Sequence, residues 1–287
     1  MILGGDVTGK MVILLVENSD GSYSCEFLGQ KLTLKSPEEL AKMEQKISFA
    51  GYYPYRISEK ERQELRADEK KVEQLFEKLI LKHMERWLVT AEERLKDKNI
   101  KCYWTGGNDD IRVIDPLLKS SKVIQDPDGE AVHIDDELEM ISTSYSNRTP
   151  WNTPREITEE DLAKTIDQMA SNVTNMERCI FNIHVPPHDS TLDIAPKLDT
   201  SVYPPRPMMG SGEAVFAAVG STAVRAAIEK YQPLLGLHGH IHESRGTCKI
   251  GKTLCINPGS DYLEGILRGV LINISNGKVI SHQFTSG

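Results

Sequence analysis

The chain has 287 residues, of which 39% are apolar, 26% charged and 6% aromatic. That is an ordinary globular composition, long enough to bury a sizeable core without disulfides or structural metal. Lys and Arg number 34 and Asp and Glu 42, leaving a formal charge of −8, which argues against bulk electrostatic grip on nucleic acid. No window nears the ~20 apolar residues of a membrane span. The five cysteines are scattered and lack CxxC spacing, so they read as reduced thiols of a cytoplasmic protein, not as a disulfide frame or a zinc knuckle.

Met1-Ile2-Leu3-Gly4-Gly5-Asp6 reads as the end of a buried strand running into a glycine turn and a carboxylate. Either it is a true N-terminal edge strand or upstream residues are missing. Two β-like runs, Met11–Val16 and Tyr23–Leu28, flank Asn18-Ser19-Asp20-Gly21, a hairpin signal. Ser36-Pro37 starts a helix. Apolar residues from Val72 through Leu75, Phe76, Ile80, Met84, Trp87 and Leu88 to Leu95 recur at helical spacing and predict one long helix from about Ala67 to Lys98. Trp87 and Trp104 are expected in the core. Residues 11–98 are read as an insertion within a single domain of 1–287, in which a lid, a dimer arm or a partner surface is open.

Beyond it, strands are expected at Lys101–Trp104, Lys122–Ile124, Glu139–Ser144, Cys179–His184 and Leu234–Leu237, and near Thr253–Ile256, Val270–Ile274 and Lys278–Phe284. Helices are capped by Thr158 and Ser221, and 189–212 reads as a Pro-rich loop. Strands alternate with helices in the middle and the tail is β-rich, which suggests a layered α/β sandwich with its chemistry where strands end in loops.

Four segments repeat one design, an apolar strand, a sharp turn and metal-binding residue types. They are Gly5-Asp6, Gly107-Asn108-Asp109-Asp110, His184 with Val185-Pro186-Pro187, and Gly239-His240-Ile241-His242. Singly, each has a plain reading as a turn, a solvated loop or a core histidine. His240 and His242 at i and i+2 project to one side, and Gly239 lets the backbone approach closely. Together, carboxylate, amide oxygen and imidazoles form a mixed O/N set suited to a borderline divalent ion, and the absence of cysteine ligands argues against structural zinc.

In order, these segments resemble the motifs of the calcineurin-like metallophosphoesterases. The resemblance covers the core strands along nearly the whole chain outside 11–98. It implies a four-layer α/β/β/α sandwich with a dinuclear site at the strand ends, Asp6 bridging two metals, Asn108, His184 and His240 completing one, and His242 binding the other. The implied cofactor is Mn²⁺, with Fe²⁺, Zn²⁺ or Ni²⁺ as alternatives, and the implied activity is hydrolysis of a small phosphomonoester or phosphodiester by metal-activated water. A catalytically impaired, protein-binding scaffold is the alternative.

Two departures stand out. The family's Asp-x-His on the strand before Gly-Asp has no counterpart here, so one metal is expected unless an upstream strand exists. Asp109 stands where the family commonly has a histidine that protonates the leaving oxygen, which makes Asp109 the candidate general acid, with Asp110 as a neighbouring carboxylate. His188 reads as a loop histidine and His238 as facing either cleft or core. Asn147, Thr149, Trp151 and Arg155 read as a phosphate- or base-binding loop or a packed one. Asn257-Pro258-Gly259-Ser260 reads as a strand-joining turn. Membrane association is excluded, nucleic acid is disfavoured, and a homo-oligomer through the insertion is open.

Overall fold

Two units make up the chain, which a computed structural model describes over residues 1–287: Met1–Val7 with Ala91–Asp261 and Ile266–Gly287, and Thr8–Thr90 with Tyr262–Gly265. β1 (Ile2–Gly4) belongs to the larger unit. The smaller unit follows with β2 (Val12–Glu17), β3 (Tyr23–Phe27), β4 (Gln30–Leu34), α1 (Pro37–Phe49), β5 (Tyr53–Ser58), α2 (Glu59–Arg66) and α3 (Glu69–Leu95) as far as Thr90.

Its sheet runs β4-β3-β2-β5, with β2 and β5 parallel. The expected hairpin forms, with the Asn18 N–H donating to the Ser22 carbonyl at 2.8 Å. Two strands escape the sequence pattern. β4 follows a Leu28-Gly29 turn whose residues both take left-handed φ, 50° and 74°. β5 carries Pro54, which argues against a strand but is tolerated on the sheet edge, where no ladder hydrogen bond is lost. Ile13, Leu15, Cys25 and Phe27 pack on Leu40, Met43 and Ile47 of α1. The expected long helix forms as α3; the separate helix α2 before it, capped by Ser58 and Glu61, escapes the sequence pattern, and the Asp68 carboxylate accepts the Lys70 N–H at 3.1 Å where α3 begins. Ile80, Met84 and Leu88 form the buried i,i+4 stripe of α3, whereas Trp87 lies at its edge, 50% exposed, so the core placement of Trp87 is corrected. Trp104 is buried as expected.

The larger unit continues with β6 (Cys102–Thr105), α4 (Asp115–Lys119), β7 (Ile124–Gln125), β8 (Ala131–His133), β9 (Glu139–Thr143), β10 (Ser146–Asn147), β11 (Glu156–Ile157), α5 (Glu159–Ala170) and β12 (Cys179–Ile183). Residues read as a Pro-rich loop instead form an arm of short antiparallel ladders. It pairs β13 (Ile194–Pro196) with β18 (Phe216–Ala218), β14 (Leu198–Asp199) with β15 (Arg206–Pro207), and β16 (Met209–Gly210) with β17 (Glu213–Ala214). Two- and three-residue strands leave no periodicity to read. Then come α6 (Thr222–Tyr231), β19 (Leu235–Leu237), β20 (Gly246–Ile250), β21 (Thr253–Asn257), β22 (Arg268–Ser275) and β23 (Lys278–Ser286).

The architecture is mixed α/β. A six-stranded sheet, β20-β21-β19-β12-β9-β8, has four parallel central strands and antiparallel edges, and a small parallel sheet runs β1-β6-β7. Alternation along β12 shows how both faces are covered. Cys179, Phe181 and Ile183 pack against Leu162 and Ile166 of α5 and Val224 and Ile228 of α6. Ile180 faces the other way, with Tyr103, Met140, Leu235 and Ile256, where Ile2 and the β22–β23 hairpin also pack. Strands buried on both faces read as nearly continuous apolar runs, which is why β12 stands out in the sequence; β9 is as buried but carries Glu139, Ser142 and Thr143.

Candidate metal centre

Four strand ends converge. β1 ends at Gly5 and Asp6, β6 at Gly106-Gly107-Asn108, β12 at His184 and β19 at the turn bearing His240. β1 and β6 are parallel, as are β12 and β19, so each pair opens on its carboxyl end, the usual location of α/β sites. Donor atoms of Asp6, His184 and His240 lie within 4.8 Å of one another. Asn108 joins them, its Oδ1 lying 3.0 Å from His184 Nε2 and 2.7 Å from His240 Nδ1.

The close fit depends on two glycines. A Cβ at Gly5 would sit 2.3 Å from His184 Nδ1, and one at Gly107 2.4 Å from both the Asp6 nitrogen and Asp6 Oδ1. Gly239, by contrast, would place its Cβ no closer than 3.8 Å to anything, so the close approach expected there occurs at Gly5 and Gly107. Asp6 and His240 both take left-handed φ, 47° and 64°. Strain at non-glycine residues persists only where the surroundings impose it.

His184 is 4% exposed, and its Nδ1 donates to the Gly4 carbonyl at 2.9 Å. Nε2 therefore points at two oxygens, Asn108 Oδ1 and Asp6 Oδ2, the latter at 3.3 Å. A neutral imidazole would set its lone pair against theirs, so the arrangement calls for a positive charge, a proton or a metal ion. Burial pulls His184 down, but the Asp6 charge and hydrogen bond, the Gly4 carbonyl and Asp110 outweigh it and raise the group overall. Burial, then the neighbouring His184 charge, pushes His240 down to about 3, so His240 is a neutral nitrogen donor. One carboxylate, one amide oxygen and two imidazoles around a common point fit a divalent cation of intermediate softness.

Other expected residues lie nearby. The Asp109 N–H donates to Asp6 Oδ1 at 3.1 Å, and its carboxylate accepts from Asn108 Nδ2 at 3.3 Å. His242 is half-buried two residues beyond His240, whose protonation its charge opposes. It lies outside the cluster formed by Asp6, His184 and His240. His238 faces the core, 6% exposed with Nδ1 donating to the Ile183 carbonyl, and burial pushes it down to about 4. His188 lies outside the centre, its side chain 41% exposed and 3.7 Å from Asp193.

Two readings change and one open alternative is resolved. Of the two readings of the loop that carries Arg155, the packed one holds for Arg155. It is 1% exposed, donating to the carbonyls of Asp110 and Ile111 and pairing with Asp115 and Asp128. Asp110 is an anchor, both carboxylate oxygens accepting the Val7 N–H at 3.1 Å and one accepting the Gly107 N–H at 2.8 Å. Asn257 is no mere turn residue. Its buried amide donates to the carbonyls of Gly239 and Ile241 on either side of His240. Asn182, on the same face of β12 as His184, donates to Thr105 Oγ1 and Ser142 Oγ and ties β6 and β9 beneath the centre. A lone Asn inside an apolar strand, two residues before a histidine, is the signal that would have found it.

No family profile matches the chain. The protein MJ1162 of Methanocaldococcus jannaschii is 31% identical over 155 residues, 53% of this chain and 61% of that protein, so the chain spans about three fifths of the length of this relative. A solved crystal structure superposes at TM-score 0.49 with 14% identity, covering 87% of this chain and 90% of that chain. TT1561 of Thermus thermophilus superposes at TM-score 0.44 with 13% identity, covering 70% of this chain and 78% of that chain. No helix is long and apolar enough to cross a membrane.

Proposed function

We propose that the chain is a metal-dependent phosphoesterase of the calcineurin-like type, with the four-layer α/β/β/α sandwich that goes with it. The observation that carries the reading is the convergence of Asp6, Asn108, His184 and His240 in a geometry that calls for a cation. In this reading those four hold one divalent ion, Mn²⁺ ahead of Fe²⁺, Zn²⁺ or Ni²⁺, and Asp6 with His242 is the chain's contribution to a second. A cation held there supplies Lewis-acid polarisation of a phosphoryl oxygen and activates water for attack. Asp109, whose N–H donates to Asp6 Oδ1, would in this reading hand a proton to the leaving oxygen of a small phosphoester.

The test is elemental analysis after Mn²⁺ loading, paired with release of the aryl alcohol from a bis-aryl phosphodiester. Bound Mn²⁺ and turnover, both lost in Asp6→Asn and His184→Asn, are expected. A chain that takes up no metal refutes the reading and favours the protein-binding scaffold.

A further inference from the structure

The Asn108 amide can face the histidines with its oxygen or with its NH₂, and only the oxygen serves a cation. What selects the oxygen lies outside the metal cluster, on the loop 153–156. Asn108 Nδ2 donates to Thr153 Oγ1 at 2.8 Å, and the Thr153 hydroxyl donates to Glu156 Oε1 at 2.7 Å. A hydroxyl has one proton. Glu156 accepts from Thr149 and Thr153 only and offers no proton in return, so the Thr153 proton is committed to it and the oxygen of Thr153 can only accept. A flipped amide would set Asn108 Oδ1 against that oxygen and against the Asp109 carboxylate. The same loop clamps the Asn108 backbone, whose carbonyl accepts the Arg155 N–H at 3.1 Å.

We propose that Glu156, acting through Thr153, is a positioning residue that fixes the Asn108 amide with its oxygen toward His184 and His240. The inference rests on the metal reading above. Outer partners that orient a metal ligand typically change affinity 10- to 100-fold when removed. Thr153→Val deletes the acceptor. Glu156→Gln can present an NH₂ to Thr153, turn its hydroxyl round and permit the flipped amide. Thr153→Ser keeps the polarity.

The experiment is Mn²⁺ binding followed by the electron paramagnetic resonance of free Mn²⁺, in the wild type, these three variants, Asn108→Asp and the double variant Asn108→Asp/Thr153→Val. A carboxylate has two equivalent oxygens and needs no such orientation. Thr153→Val and Glu156→Gln are expected to weaken binding at least about tenfold, Thr153→Ser to stay near wild type, and Thr153→Val to lose its effect in the Asn108→Asp background. Equal losses in both backgrounds, or wild-type affinity in Thr153→Val, overturn the inference while leaving the metal reading intact. A wild type that binds no Mn²⁺ overturns both.

Discussion

Gly107→Ala isolates what the close packing around Asp6 contributes. Gly107 is outside the left-handed region, so alanine costs it no backbone strain and the effect is steric. The new Cβ would lie 2.4 Å from the Asp6 nitrogen and from Asp6 Oδ1 and 2.7 Å from His184 Cε1. The first obstacle is main chain, which has no rotamer to yield, so Asp6 must retreat by about 1 Å to reach ordinary contact distance. Overpacking of this kind costs about 1–3 kcal/mol. If metal binding must restore the original ligand geometry, the same energy is lost from affinity, about 5- to 150-fold. Gly239→Ala is the matched control, next to His240 in sequence but with no atom nearer than 3.8 Å, and it is expected within about twofold of wild type. Mn²⁺ titration and guanidinium denaturation of the two variants read both effects. Wild-type affinity in Gly107→Ala, or an equal loss in Gly239→Ala, would show that the glycines do not set the ligand positions.

Three further outcomes are expected. Burial, with Asp128 and Asp115 adding to it, lifts the Asp126 carboxyl from 3.8 to about 6. Its charged form therefore opposes folding increasingly from pH 4 to 6 and fully above, so Asp126→Asn should stabilise by about 1–2 kcal/mol at pH 8 after discounting for its partial exposure, and not at all near pH 3.5. A gain that does not vary with pH in denaturant titrations would contradict the assignment. Arg155→Met leaves the Asp110 and Ile111 carbonyls and the Asp115 and Asp128 carboxylates without their shared donor. It should lower stability by about 3–5 kcal/mol, with a change below about 1 kcal/mol counting against a structural role. Asp109→Asn should cost much less turnover on aryl phosphodiesters, whose leaving oxygen needs less protonation, than on alkyl ones, and equal losses would argue against Asp109 as the acid.

What the sequence made legible follows signal length. β12 is buried on both faces and appears as an apolar run, and the residues just past the ends of β12, β6 and β19 supply His184, Asn108 and His240 in one place. The arm from Ile194 to Ala218 was illegible because its ladders are two or three residues long. β5 was hidden by Pro54, an objection that disappears only once the strand is known to be an edge. Arg155 illustrates a different gap. Its polar neighbours leave a ligand-facing and a packed reading equally open, and only tertiary structure reveals the two carbonyls and two carboxylates that bury it. Asn182, Asp110 and Asn257 share that gap, since their partners are backbone and hydroxyl groups far away in sequence.

Those anchors explain how a site made of strained pieces stays in place. Left-handed φ at Asp6 and His240 costs about 1–3 kcal/mol each when nothing enforces it. Next to Asp6, Asp110 grips the Val7 N–H with both oxygens and the Gly107 N–H with one, so relaxing the Asp6 turn would unpair a buried carboxylate. Around His240, Asn257 holds the carbonyls on both sides of the turn, and relaxation there would leave a buried amide unsatisfied. A buried polar group stripped of its partner costs about 1–3 kcal/mol, more when charged, which matches or exceeds the strain released. The two strained positions are also two of the four residues that meet at the cation-demanding point. The fold thus uses Asp110 and Asn257, both fully buried, to hold Asp6 and His240 in conformations their own backbones disfavour.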